Sequence, residues 1–142
     1  MLPAADVKRA LRDAGFEVYG ASDGVVRVAE RVRENLLMDS GVCVLTHARA
    51  VMFVARAQRS DFPGEDAQAL FTRVRSSSGP AVARGYREAR AWVTELPAPD
   101  EPSRALDAWY ELQYEKTVDT VEGAVDEVRF AFGLDKTARR SP

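Results

Sequence analysis

Apolar and polar residues alternate along this chain with two periods, one helical and one extended. Val7, Ala10, Leu11 and Ala14 recur at helical spacing, with Pro3 suited to the first helical position and Gly15 to the stop, so 4–14 reads as a short helix. Phe16-Glu17-Val18-Tyr19-Gly20 alternates as a strand. Val42-Cys43-Val44-Leu45-Thr46 and Val51-Met52-Phe53-Val54-Ala55 are apolar on both faces, which predicts two central strands joined by a hairpin loop at 47–50. Ser60-Asp61-Phe62-Pro63-Gly64 breaks the chain, and Ala67, Leu70, Phe71 and Val74 then line one face of a helix. That helix pauses at Ser76-Ser77-Ser78-Gly79-Pro80, resumes through Arg84 and stops at Gly85.

Residues 86–96 and 106–116 alternate as two further strands. The first sets Ala89, Ala91 and Val93 against Tyr86 and Trp92. The second sets Leu106, Tyr110, Leu112 and Tyr114 against Trp109, Glu111, Gln113 and Glu115. Three prolines between 97 and 102 make the connection a stiff loop, so the pair reads as a long antiparallel hairpin. Asp119 and Glu122 match a capping box, and Val121, Val125, Val128 and Phe132 predict the buried face of a last helix ending at Gly133. Residues 135–142 are expected to form a flexible tail after a single domain over 1–134.

Residues 25–39 fit both periods. Val25, Val28, Ala29, Val32 and Leu36 make a helical face, while Val26, Val28, Val32, Leu36 and Met38 share one side of a strand. The strand sets Glu30 and Glu34 on that same side, which is costly if the side is buried, so the helix is preferred. The fold class expected is α+β: a mostly antiparallel sheet of about five strands with helices packed on one face. With the helix, residues 16–96 follow the ferredoxin-like β-α-β-β-α-β order, to which a hairpin strand and a C-terminal helix are added. With a strand, Met38-Asp39-Ser40-Gly41 becomes a hairpin turn. The order α-β-β-β-α-β-β-α then resembles that of the small acidic chaperones of bacterial secretion systems, a likeness of element order rather than of motif.

Composition narrows the classes further. In 142 residues the hydrophobic share is 46% and the charged share 30%, enough to build a core and too apolar for disorder. The single Cys43 excludes an intrachain disulfide. No basic run precedes an apolar stretch at the start and no window of about 18 residues is wholly apolar. The expectation is therefore a cytoplasmic protein without membrane association. Net charge is −2, with 14 basic against 12 acidic residues over 1–95 and 6 against 10 over 96–142, which is no nucleic-acid footprint. Arginine outnumbers lysine 17 to 3, as in a bacterial chain from a GC-rich genome.

The chemistry-bearing residues do not assemble into a site. Cys43 and His47, the only thiol and the only imidazole, lie about 13 Å apart on a strand. They are too few for a zinc site, and Asp61, Glu65 and Asp66 lack the spacing of a calcium loop. Asp100 and Glu101 sit in an exposed proline-rich loop without the burial that catalytic carboxylates need, and Ser76–Pro80 is no P-loop. No catalytic residue, cofactor or metal is assigned. What remains is a surface: Trp92, Trp109, Tyr110 and Tyr114 with Arg87, Arg90, Glu111 and Glu115 are the candidate protein-interaction residues, aromatic anchors among charges. Seven arginines (56, 59, 73, 75, 84, 87 and 90) are candidates to gather on one face. The function expected is a non-enzymatic protein-binding domain, such as an adaptor, chaperone-like protein or regulatory subunit, with a protein partner or a second copy. The alternative is a small-molecule site or small enzyme built from Arg90, Tyr86, Tyr110 and Tyr114.

Overall fold

A computed structural model describes residues 1–140. The elements run α1 (Ala4–Asp13), β1 (Glu17–Tyr19), β2 (Val25–Arg33), β3 (Leu36–Leu45), β4 (Ala50–Gln58), α2 (Ala67–Ser77), α3 (Gly79–Ala83), β5 (Arg87–Pro97), β6 (Ala105–Thr117) and α4 (Val121–Gly133), with a 3-10 turn at Arg59–Asp61. The fold is α+β, with six antiparallel strands hydrogen-bonded in the order β1-β2-β3-β4-β6-β5. The chain divides into two compact units, residues 1–53 with 115–134, and 54–114 with the described residues from 135 onward.

In the first unit, β2 and β3 form the hairpin that replaces the expected helix over 25–39. Their pairing runs from Val25 opposite Leu45 to Arg33 opposite Leu36, around a turn at Glu34 and Asn35. The order of elements is therefore not β-α-β-β-α-β: four strands, not three, precede α2. The penalty that favoured a helix does not arise, because Glu30 to Met38 are exposed and the two glutamates stay in water. Val26 and Val28 then pack on the core face, the half-buried pleated setting that β-branched residues suit.

Asp39-Ser40-Gly41 is a bulge and not a turn. Val28 faces Val42 while Ala29 faces Asp39, so Ser40 and Gly41 are extra. The Ser40 hydroxyl donates to the Val28 carbonyl at 2.6 Å, and the Gly41 amide donates to Asp39 at 2.9 Å. Gly41 takes φ +80°, which only glycine adopts without strain.

One face of β2, β3 and the first part of β4 carries Val26, Val28, Val42, Val44, Val51 and Phe53, all fully buried. Helices α1 and α4 pack on each other, α1 packs on β1 and β2, and α4 packs on β3. They bring Val7, Leu11, Ala124, Val128 and Ala131 to this core. Phe16 and Phe132 meet edge to face at 5.4 Å. Thr120, not Asp119, caps α4, its side-chain oxygen accepting from the Gly123 amide at 2.9 Å. The helix buries Ala124, Glu127, Val128 and Ala131, while Val121, Val125 and Phe132 are half-buried. Glu127 is thus a buried acid that the apolar pattern passes over. Lys116 reaches it at 2.8 Å.

In the second unit, Ala55, Ala57, Leu70, Val74, Ala81, Tyr86, Ala108, Leu112 and Tyr114 are buried. Helix α2 begins at Asp66, which accepts from the Ala69 amide, and gives way to α3 at Ser78. The interruption after Ser77 follows the Ser-Gly-Pro sequence, as expected. After α4, residues 136–138 run beside β4. The Arg56 amide donates to the Lys136 carbonyl and the Ala138 amide to the Arg56 carbonyl, which is a parallel bridge to β4, and Ala138 is buried. The last two residues of the expected tail, 141 and 142, lie outside the described residues.

Candidate interaction surface

Strand alternation in the second unit separates two sets of side chains. On β6, Ala108, Leu112 and Tyr114 are buried, with Tyr110 half-buried against Phe71 of α2 in an edge-to-face contact at 5.3 Å. Tyr114 is 1% exposed and shares a hydrogen bond with Ser78. Its phenol is held above its ordinary pKa by burial, an effect the Ser78 contact opposes. Tyr114 is therefore core and leaves the interaction set, while Tyr110 leans on the helix.

Trp109 and Glu111 belong to the other set, joined by Arg56 of β4 and by Arg90, Trp92 and Thr94 of β5. The Glu111 side chain is only 13% exposed, and one of its oxygens accepts from the Trp92 indole N–H and from the Thr94 hydroxyl, both at 2.6 Å. Its other oxygen lies 3.8 Å from the Arg56 guanidinium. That guanidinium stacks 4.3 Å from the Trp109 ring, and Arg90 sits 5.3 Å from the Trp92 ring. Each half-buried indole thus has a guanidinium over it, and Glu111 bonds the Trp92 N–H while lying beside the Arg56 that covers Trp109. Fixed rings carry little conformational entropy to lose on binding, so the cluster presents flat apolar area and guanidinium donors at low cost.

Asp107, two residues before Trp109 on the same side of β6, anchors the turn that follows β4. It accepts from Gln58 Nε2 at 2.6 Å, the Ser60 hydroxyl at 2.7 Å, the Ser60 amide at 3.1 Å and the Ala108 amide at 2.8 Å. Burial pushes its pKa up, but the four donors outweigh that and hold it below the usual aspartate value. A depressed carboxylate contributes stability above its unfolded pKa, and that stability is lost as pH falls through the folded one. Asp107→Asn is therefore expected to be less stable than the parent near neutral pH and to lose less as the solution is acidified below about pH 4. Urea midpoints taken down the pH scale check this; parallel pH profiles for the two proteins would refute it.

The other sequence candidates are dispersed. Arg87 is exposed at the start of β5. Glu115 belongs to the first unit, where its charge acts on Cys43. Of the seven arginines, Arg56 and Arg90 stand over the indoles, Arg73 pairs with Glu65 over Phe62, Arg75 pairs with Glu88, and Arg59 donates to the Ala105 carbonyl. Tyr86 and Tyr114 are buried while Arg90 lies over Trp92, so the residues of the proposed Arg/Tyr pocket do not converge. Cys43 is buried in β3, where burial pushes its thiol up to about 12, and His47 follows the strand in an exposed turn against Gly24. A thiol so rarely ionised is a weak nucleophile. Among the described residues no group of three or more His, Cys, Asp or Glu side chains is placed to hold a metal.

Two features lie beyond the sequence reading. The roles of Arg56 and Thr94 depend on which strands are neighbours. The free end of the β2–β3 hairpin exposes Val32, Leu36, Leu37 and Met38. Leu37 and Met38 line a recess of about 320 Å³ with Tyr19, Ala29 and Asp39. No helix is long and apolar enough to cross a membrane among the described residues. Comparison with protein-family models, curated proteins and solved structures finds no match for this chain.

Proposed function

We propose that the chain is a non-enzymatic protein-binding domain of the cytoplasm, an adaptor, chaperone-like protein or regulatory subunit, which holds a protein partner on the Trp92–Trp109 face of its second unit. The observation that carries this reading is the pair of half-buried indoles fixed by Arg56, Arg90 and Glu111. Interface energy concentrates in Trp, Tyr and Arg, and an anchor contributes most when it is already immobile. Glu111 supports binding rather than proton transfer, because three donors or cations already crowd its oxygens.

A photo-activated phenylalanine analogue in place of Trp109 tests the reading in the native cell. A single defined protein adduct is expected, absent when the same group replaces the exposed Arg9 on α1. Arg56→Glu should abolish that adduct, and Trp109→Ala should weaken the purified complex by about 2 kcal/mol, roughly 30-fold. No adduct at 109, or an adduct indifferent to Arg56→Glu, removes the basis for the proposal.

A further inference from the structure

We infer that β5 is where two copies of this chain join, as an antiparallel pair of edge strands about a two-fold axis at Ala91. Strand β5 ends the sheet order, beside β6 alone. It is 11 residues long, and all of them are exposed except the half-buried Trp92. A row of backbone donors and acceptors of that length, about 37 Å, is a ready template for another strand unless something blunts it. Charges are the usual blunting device, and β5 carries four: Arg87, Glu88, Arg90 and Glu95. Glu88 is held by Arg75, and Arg90 lies over Trp92. Among the described residues Arg87 and Glu95 take part in no ion pair.

The arrangement of these charges selects one occupant and one register. Two-fold pairing of a strand with itself sets each residue opposite its mirror position about the centre. Centred on Ala91, Arg87 faces Glu95 at both ends, Arg90 faces Trp92 twice, and Ala89 faces Val93 twice. Each Arg87 meets a Glu95 and each Arg90 meets an indole, which are the cross-strand pairs that stabilise a sheet. Neighbouring registers lose this. Centred on Arg90, two guanidiniums collide. Centred on Trp92, Glu95 faces Ala89, Arg90 faces Thr94, and Pro97, which has no N–H, enters the ladder. The Ala91 register pairs nine residues of each copy, 87 to 95, and leaves Pro97 outside. An unrelated acidic or basic peptide would satisfy only half of these charges.

This inference does not rest on the partner proposed for the Trp92–Trp109 face: its bonds are backbone bonds at the edge, and Arg56 and Trp109 stand on β4 and β6. Sedimentation velocity of the full chain over about 1–200 µM tests it, the range in which small edge interfaces dissociate. The expected species at the upper end has twice the 15.7 kDa chain mass. Arg87→Glu and Glu95→Arg each place like charges face to face and should weaken the dimer at least about tenfold. Both residues are exposed, so circular dichroism should report an unchanged fold for each. The double reversal, Arg87→Glu with Glu95→Arg, restores the pairs and should restore the dimer. A monomer across the whole range overturns the inference. So does a dimer that ignores the single reversals, or a double reversal no tighter than the singles.

Discussion

Phe53→Ala is expected to cost about 3–5 kcal/mol, the largest loss of any single truncation proposed for this chain. Phe53 is fully buried on β4, opposite Val42 of β3, on the face shared with Val26, Val28, Val44 and Val51. Removing the ring forfeits its transfer energy, and the β-branched residues around it are too stiff to close the void. Helices α1 and α4 pack around the same core, so neither is free to collapse inward without losing Val7, Leu11 or Val128. Urea unfolding followed by far-ultraviolet circular dichroism measures the effect as a fall in midpoint with an unchanged slope. Phe53→Leu keeps most of the volume and is expected to lose less than half as much. Equal losses for Ala and Leu would mean that the ring, not its bulk, carries the stability.

Lys116→Met is expected to lose about 2–4 kcal/mol. The Lys116 ammonium lies 2.8 Å from Glu127, whose side chain is 8% exposed, against 26% for the lysine. Taking a carboxylate out of water is costly, and its cation offsets that cost; deleting the cation alone leaves a buried charge without it. The partial exposure of the lysine places the loss below that of a fully buried pair. The companion Lys116→Met, Glu127→Leu double variant should recover most of the loss, since apolar residues of like volume replace a buried pair at little cost. The same unfolding assay separates the two. A double variant as unstable as the single would show that the pair acts through packing and not through charge.

How far the sequence could be read follows from which energies are local. Val42–Thr46 and Val51–Ala55 were legible as central strands because β-branched residues on both faces leave no other economical arrangement. The break at Ser78-Gly79-Pro80 and the stop before Tyr86 were legible because glycine and proline act on their own backbone. The hairpin over 25–39 was not, since its two glutamates exclude a strand only if that side is buried, and burial is decided by what packs against it. Glu127 was hidden in the same way: an acid on an apolar helical face reads as an edge residue until Lys116 arrives from β6.

For the interaction surface, outward parity on β6 separated Trp109, Glu111 and Glu115 from Tyr110 and Tyr114, and the sequence assigned that split correctly. It had no means of telling which set faces the helices. Tyr114 against Ser78 and Tyr110 against Phe71 answer that question, and Tyr114 is buried out of reach of a partner.

The sequence by itself determined the α+β class, the extents of most strands and helices, and the absence of a second cysteine for a disulfide. These rest on short-range backbone preference and side-chain periodicity, which the chain carries with it wherever it folds. Only the tertiary structure decided that β4 lies between β3 and β6, that Arg56 stacks on Trp109 while Trp92 and Thr94 share Glu111, and that β5 closes the sheet order with one side open. Those outcomes depend on contacts between residues tens of positions apart, whose energies exist only once the strands have found their neighbours.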